Sequence, residues 1–181
     1  MIGGMLDKVR DCILANNKYF CEGYSNVWRD EQTNQILTMK ADQYKVVFPN
    51  DTLGDYFYLR NDGNIVFNPS AENLISDCID SAYDTNITVN LVAIMDNADP
   101  EELLSNLLTT IQYCEGFRTN LVSASTNPST IITNELLNLA DADIQAALQR
   151  NKRTIVSLTF NMIDAIVIKD PSCIENPCKL C

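Results

Sequence analysis

Hydrophobic and polar positions alternate most clearly between Thr85 and Met95, in T-N-I-T-V-N-L-V-A-I-M. Ile87, Val89, Leu91, Ala93 and Met95 fall on one face; Asn86, Thr88 and Asn90 occupy the other until Val92 and Ile94 turn it apolar as well. The pattern predicts a strand covered on one face at its start and on both at its end. The residues that follow, D-N-A-D-P-E-E, predict a helix start with Asp99 as N-cap, Pro100 at the first helical position and Glu102 placed for a capping box. Leu103, Leu104, Leu107, Leu108 and Ile111 then recur at helical spacing up to Gly116, which is expected to end the helix.

Elsewhere the same reading gives an N-terminal amphipathic helix from Met5 to Asn16, with Met5, Leu6, Val9, Cys12 and Ile13 as its apolar stripe. Y-S-N-V-W-R and I-L-T-M-K read as a hairpin, with Trp28 expected in the core, and Q-Y-K-V-V-F as a strand stopped at Pro49. Y-F-Y-L-R and I-V-F-N predict a second hairpin across Asp62-Gly63. Leu74, Ile75, Cys78, Ile79 and Ala82 suggest a short helix, and Phe117 to Ser125 a strand. Thr130 to Leu139 fits either element, Asp141 to Gln149 suggests a short helix, and Thr154 to Ile168 a long strand. The sum is an α+β fold: a mixed or antiparallel sheet crossed by an amphipathic helix, with an extra N-terminal helix, a hairpin and an extended C-terminal arm. Residues 1–170 form one domain and 171–181 the cysteine-containing arm.

Charge narrows the chemistry. A net charge of -11 leaves no clustered Lys and Arg to grip phosphates, so the aromatic run Tyr56, Phe57, Tyr58 is a poor candidate for stacking nucleobases. The chain contains no histidine, which removes Ser-His-Asp and Cys-His nucleophile pairs. No Walker A, G-x-G-x-x-G or G-x-S-x-G pattern is present, so no catalytic or cofactor-binding residue is expected. Asp96, Asp99, Glu101 and Glu102 cluster as helix-start residues do. The N-terminus carries charge from Asp7, and no run has the length of a signal peptide's apolar core or of a membrane span; both predict a cytosol-like compartment, in which the sequons at Asn50 and Asn86 mean little.

Of the seven cysteines, Cys12, Cys78 and Cys114 fall in phase with apolar helical neighbours and are expected to act as small buried thiols. Cys173, Cys178 and Cys181 have a C-x4-C-x2-C spacing that suits a metal or iron–sulfur site. A fourth ligand would have to come from Cys12, Cys21, Cys78 or Cys114.

Taken in order, the elements are an N-terminal helix, several β-runs, the strand T-N-I-T-V-N-L-V-A-I-M, the helix D-P-E-E-L-L-S-N-L-L-T-T-I, the strand F-R-T-N-L-V-S and the strand R-T-I-V-S-L-T-F-N-M-I. The succession, best from Thr85 to Ile163, resembles the tail-terminator and head-to-tail connector proteins of tailed bacteriophages. The resemblance implies a non-enzymatic virion protein, made in the host cytoplasm, that forms a homo-oligomeric ring at the neck. Its partners would be copies of itself and neighbouring portal, connector or tail proteins, with DNA passing through the lumen without specific binding and no membrane. Loops near Asp30 to Gln35 and Thr126 to Thr130, and the terminal arm, would meet the neighbours. Two other classes fit the residues: a small metal or redox protein using the three C-terminal cysteines, and a cytosolic interaction module with one partner.

Overall fold

The computed structural model describes residues 2–50, 52–63, 65–69, 79–136 and 142–169. Within them the elements are α1 (Ile2–Asn16), β1 (Glu22–Tyr24), β2 (Trp28–Asp30), β3 (Gln35–Lys40), β4 (Gln43–Phe48), β5 (Tyr56–Asn61), β6 (Val66–Pro69), β7 (Ile79–Asp96), α2 (Pro100–Gln112), β8 (Arg118–Ser125), α3 (Pro128–Glu135), α4 (Ala142–Arg150) and β9 (Arg153–Lys169). The fold is α+β. Its main sheet runs β1-β5-β7-β9-β8, with β6 also paired to β7, while β2, β3 and β4 form a separate antiparallel sheet.

Both faces of the main sheet are covered, as the apolar ends of β7 require. Ile87, Val89, Leu91 and Ala93, joined by Val156, Leu158, Phe160 and Met162 of β9, pack under Met5, Leu6, Val9 and Ile13 of α1 and Leu103, Leu107 and Ile111 of α2. On the opposite face Val92, Ile94, Tyr56, Tyr58 and Ile155 pack against Ile36, Val47 and Phe48 of the small sheet and Ile131 and Ile132 of α3. Each large side chain buried this way contributes about 1.5–3 kcal/mol of transfer free energy, which fixes the layer order. Gly23 of β1 is needed because a Cβ there would lie 2.5 Å from the Phe57 ring.

The α2 boundary follows its sequence signals. Asp99 is extended and its side chain accepts hydrogen bonds from the N–H groups of Glu101 and Glu102, with Pro100 opening the helix. The helix stops earlier than expected, with Tyr113 as C-cap; Gly116, at φ +90°, serves the turn into β8 instead. Asn127 caps α3 in the same manner as Asp99, with Pro128 next, and this resolves the Thr130 to Leu139 ambiguity toward helix as far as Glu135.

Four expectations are overturned. The Asp62-Gly63 segment does not close a hairpin: β5 and β6 both run antiparallel to β7, Tyr56 opposite Ile94 and Val66 opposite Asn86, and lie one after the other along it. An 18-residue β7 has room for two partners in series, because at about 3.3 Å per residue it spans roughly 60 Å. Ile79 and Ala82 belong to β7, not to a helix; Leu74, Ile75 and Cys78 lie outside the described residues. Trp28 is half-buried, edge-to-face with the exposed Tyr44, because it sits on the short sheet's outer side. Cys12 and Cys114 are not free thiols: α1 packs beside α2 and brings them to a Cα–Cα distance of 5.9 Å, where they form a disulfide.

Candidate functional site

Two features stand out once the core is assigned. The first is the pair of sheet edges. Along the outer side of β7, β6 leaves Val66 49% and Phe67 52% exposed; along the outer side of β9, β8 leaves Leu121 52% and Val122 57% exposed. Neighbouring residues of a regular strand point to opposite faces, so Val66 and Phe67 put one apolar side chain on each face of the β6 edge. A register shift between Leu121 and Ser123 leaves Val122 without a Cα partner on β9, a bulge of the kind edge strands carry.

The second is a polar cleft of ≈ 590 Å³ where the end of β8 meets α3 over the sheet. Its walls carry Ser123 and Ser125 of β8, Thr130 and Thr133 of α3, and Asn90, Ser157 and Thr159 of the sheet. At its base a charged pair is buried. Glu135, 1% exposed, accepts at Oε1 from Arg60 (2.9 Å) and from Asn90, and at Oε2 from the Tyr58 hydroxyl (2.9 Å). Arg60, 8% exposed, also pairs with Asp62, while its buried Nε–H finds no acceptor among the described residues. An unmet buried donor of this kind costs about 1–3 kcal/mol.

The surroundings set the charge states. Burial pushes the Tyr58 phenol well above its ordinary range and the negative charge of Glu135 pushes it further, so the hydroxyl remains a donor. For Arg60 burial acts downward but is outweighed by Glu135 and Asp62, which hold the guanidinium charged. Arg29 closes the assembly from the small sheet, donating 2.6 Å bonds to the carbonyls of Glu135 and Asn134 at the end of α3, where a helix favours a cation. The cleft therefore holds Arg29 and Arg60 against Asp62 and Glu135 and is formally neutral.

The residues singled out in the sequence lie mostly elsewhere. Tyr56, Phe57 and Tyr58 are fully buried, on alternating faces of β5, and present no stacking surface. Asp99 caps α2, and Asp96 lies 2.9 Å from Nε of Arg153, an ion pair without hydrogen-bond alignment. Cys173, Cys178, Cys181 and the arm 171–181 lie outside the described residues, as does Cys78. The disulfide removes Cys12 and Cys114 as a fourth ligand, and Cys21 is an exposed free thiol. Among the described residues no group of three His, Cys, Asp or Glu side chains is placed to hold a metal ion. No helix among them is long and apolar enough to cross a membrane. Of the two loops expected to meet neighbours, 126–130 is loop only at 126–127, because Asn127 caps α3 and Pro128 to Thr130 form its first turn, with Thr130 in the cleft wall. The other is a tight turn in which Asp30 accepts from the N–H groups of Gln32 and Thr33 and Asn34 donates to the carbonyl of Leu136.

Sequence reasoning missed Arg60 and Glu135 as a pair. A usable signal exists: Arg60 directly follows the apolar run Tyr56-Phe57-Tyr58-Leu59 within β5, a position where a charge requires a buried partner. No protein-family model matches the chain, and no curated protein matches its sequence.

Proposed function

We propose that the chain is a structural virion subunit that closes into a homo-oligomeric ring at the head–tail junction of a tailed bacteriophage, as a tail terminator or portal-proximal connector, through which DNA passes. The observation that carries this reading is the exposure of Val66 and Phe67 on one edge of the main sheet and of Leu121 and Val122 on the other. A ring needs two different, complementary patches on each subunit, whereas a two-fold dimer needs one self-complementary patch. Unpaired edge strands bearing apolar side chains are otherwise an aggregation hazard, which gives them a reason to be covered.

Further support comes from the order of elements between Thr85 and Ile163 and from a net charge of -11, which suits a lumen that lets DNA slide. A disulfide suits an exposed virion, since such bonds persist on particle surfaces and rarely in a reducing cytosol.

The test is to replace Phe67 by photoreactive benzoylphenylalanine, record native mass spectra of the assembly, and map its cross-links. The expected result is a closed ring whose Phe67 position links to β8 of another copy, lost in Phe67→Asp, together with antibody labelling at the neck of intact virions. Links only between two copies of position 67, or a monomer that labels nowhere on the particle, would refute it.

A further inference from the structure

The seam between α1 and α2 carries a groove that neither the polar cleft nor the sheet edges involve. The segment from Asn16 to Tyr19 runs beside α2 from its C-terminal half toward its start and encloses with it a space of ≈ 680 Å³. Past Tyr19 the space continues into a hollow of ≈ 150 Å³ at Asp99. Glu102, Ser105, Asn106, Thr109 and Tyr113 recur at helical spacing and line the α2 side, over a rise of about 16 Å. This is the flank of α2 turned away from β8, which meets Leu108, Ile111 and Gln112 across a separate hollow, so both sheet edges stay clear of it.

The solvent face of an amphipathic helix ordinarily carries charges, and this one does not. From Leu103 to Cys114 no residue is charged, and the exposed positions are Ser105, Thr109, Gln112 and Tyr113. Lys18 offsets Glu102, and the Asp99 carboxylate is committed to the N–H groups it caps, so the groove favours an ion of neither sign. Asn17, 3% exposed, donates to Oδ1 of Asn106 at 2.6 Å and accepts from the Tyr19 N–H at 3.1 Å. That bond orients the half-buried Asn106 amide and leaves its Nδ2 donors without a partner among the described residues. Tyr19 and Tyr113, 46% and 79% exposed, stand toward the two ends. The Cys12–Cys114 bond ties the two walls together beside Tyr113, which sets their separation before any ligand arrives.

We infer that this groove binds a neutral oligosaccharide. A sugar ring presents hydroxyls that both donate and accept around its rim, and C–H groups on its face. Glu102 and Asn106, one helical turn apart, offer a carboxylate acceptor and an amide donor side by side, as two neighbouring hydroxyls require. The negative face of a tyrosine ring attracts the C–H face. A peptide fits less well, because capture of its main chain draws on a sheet edge or a nest of free N–H groups, and the backbone groups of α2 are spent within the helix. An apolar ligand would leave the Asn106 donors and the Glu102 carboxylate unmet. The inference does not rest on the ring reading: a ring can close along the sheet edges with this groove open to solvent.

The test is retention of the intact, oxidised chain on an array of neutral gluco-, galacto-, manno- and N-acetylglucosamine oligosaccharides, with sulfated glycans, sialylated glycans and extended peptides alongside. Calorimetric titration with the best-retained neutral oligosaccharide follows. The expected result is binding to at least one neutral class, weakened at least about tenfold in Tyr19→Ala, Tyr113→Ala and Asn106→Leu. Tyr44→Ala, which removes an exposed tyrosine of the small sheet, should bind as the wild type does. Tyr19 and Tyr113 are exposed, so their alanine variants should keep the wild-type melting transition; where Asn106→Leu loses its cooperative melt, the tyrosine variants decide. No retention on any neutral glycan, retention confined to charged glycans or peptides, or an affinity that neither tyrosine variant alters overturns the inference and leaves the ring reading standing.

Discussion

Breaking the Cys12–Cys114 bond is the sharpest perturbation of the fold, because its size follows from chain length alone. The bond ties α1 to the end of α2 across a sequence separation of 102 residues. Closing a loop of about 100 residues removes denatured-state entropy worth about 4.7 kcal/mol at 25 °C. Domains are commonly stable by only about 5–15 kcal/mol, so the cross-link supplies a large share. With a urea dependence of about 2 kcal/mol per molar, the Cys12→Ser, Cys114→Ser double variant should unfold at a midpoint lower by roughly 2 M. The assay is equilibrium urea unfolding of the oxidised wild type, the reduced wild type and the double variant, with peptide mapping of the bond after blocking free thiols. The two altered forms should agree, since both release the same loop. An unchanged midpoint in both, or alkylation of Cys12 and Cys114 in native protein never exposed to reductant, would refute the reasoning.

Two other outcomes follow from the buried network. Glu135→Leu leaves Arg60 charged without its main partner and should cost about 3–5 kcal/mol by denaturant unfolding, whereas adding Arg60→Met should recover most of that loss; a double variant that loses the sum of the two single-variant losses would show that the pair is not coupled. Tyr56 and Tyr58 both have phenols raised above their ordinary value, chiefly by burial. The unfolded chain releases these protons first, so their contribution is fully present below about pH 10 and declines as pH rises toward the folded values. Each can cost up to about 1.4 kcal/mol per pH unit there. Absorbance at alkaline pH should show these two phenols ionising together with loss of structure; ionisation within a fully folded protein would contradict their burial.

Much of this architecture is legible in the sequence wherever one periodicity governs a segment. The faces of β7 and β9, the stripes of α1 and α2 and the cap at Asp99 all appear where the pattern puts them, because burial on a defined side leaves little freedom of register. What the pattern conceals is pairing. The Asp62-Gly63 dipeptide is a strong hairpin signal, yet β7 is long enough to take β5 and β6 in succession, and that long-range pairing overrides local turn chemistry. The true tight hairpin, between β3 and β4, turns through Ala41 and Asp42, both at positive φ and without the usual glycine or asparagine, so it carries little sequence signal. The cleft was illegible for a related reason. Arg60, Asn90 and Glu135 lie on three elements spread over 75 residues, and no local spacing joins them. Helical phase places Cys12 on the α1 stripe, but it does not reveal that Cys114, just past the end of α2, lies opposite it.

The central place of β9 has a consequence for how the protein is born. It is synthesised after every other described element, yet it lies between β7 and β8 and pairs with β7 from Asp96 opposite Arg153 to Ile79 opposite Lys169. Until it emerges, β8 has no neighbour and one whole side of β7 stands open, so the growing chain holds two adhesive strands apart for most of its translation. Completion of the sheet is therefore a late event dominated by distant contacts, which is slow in kind. A polysome crowded with such chains is where mispairing between copies is most dangerous. It is also where a bulge at Val122, by spoiling a regular template, has its earliest use.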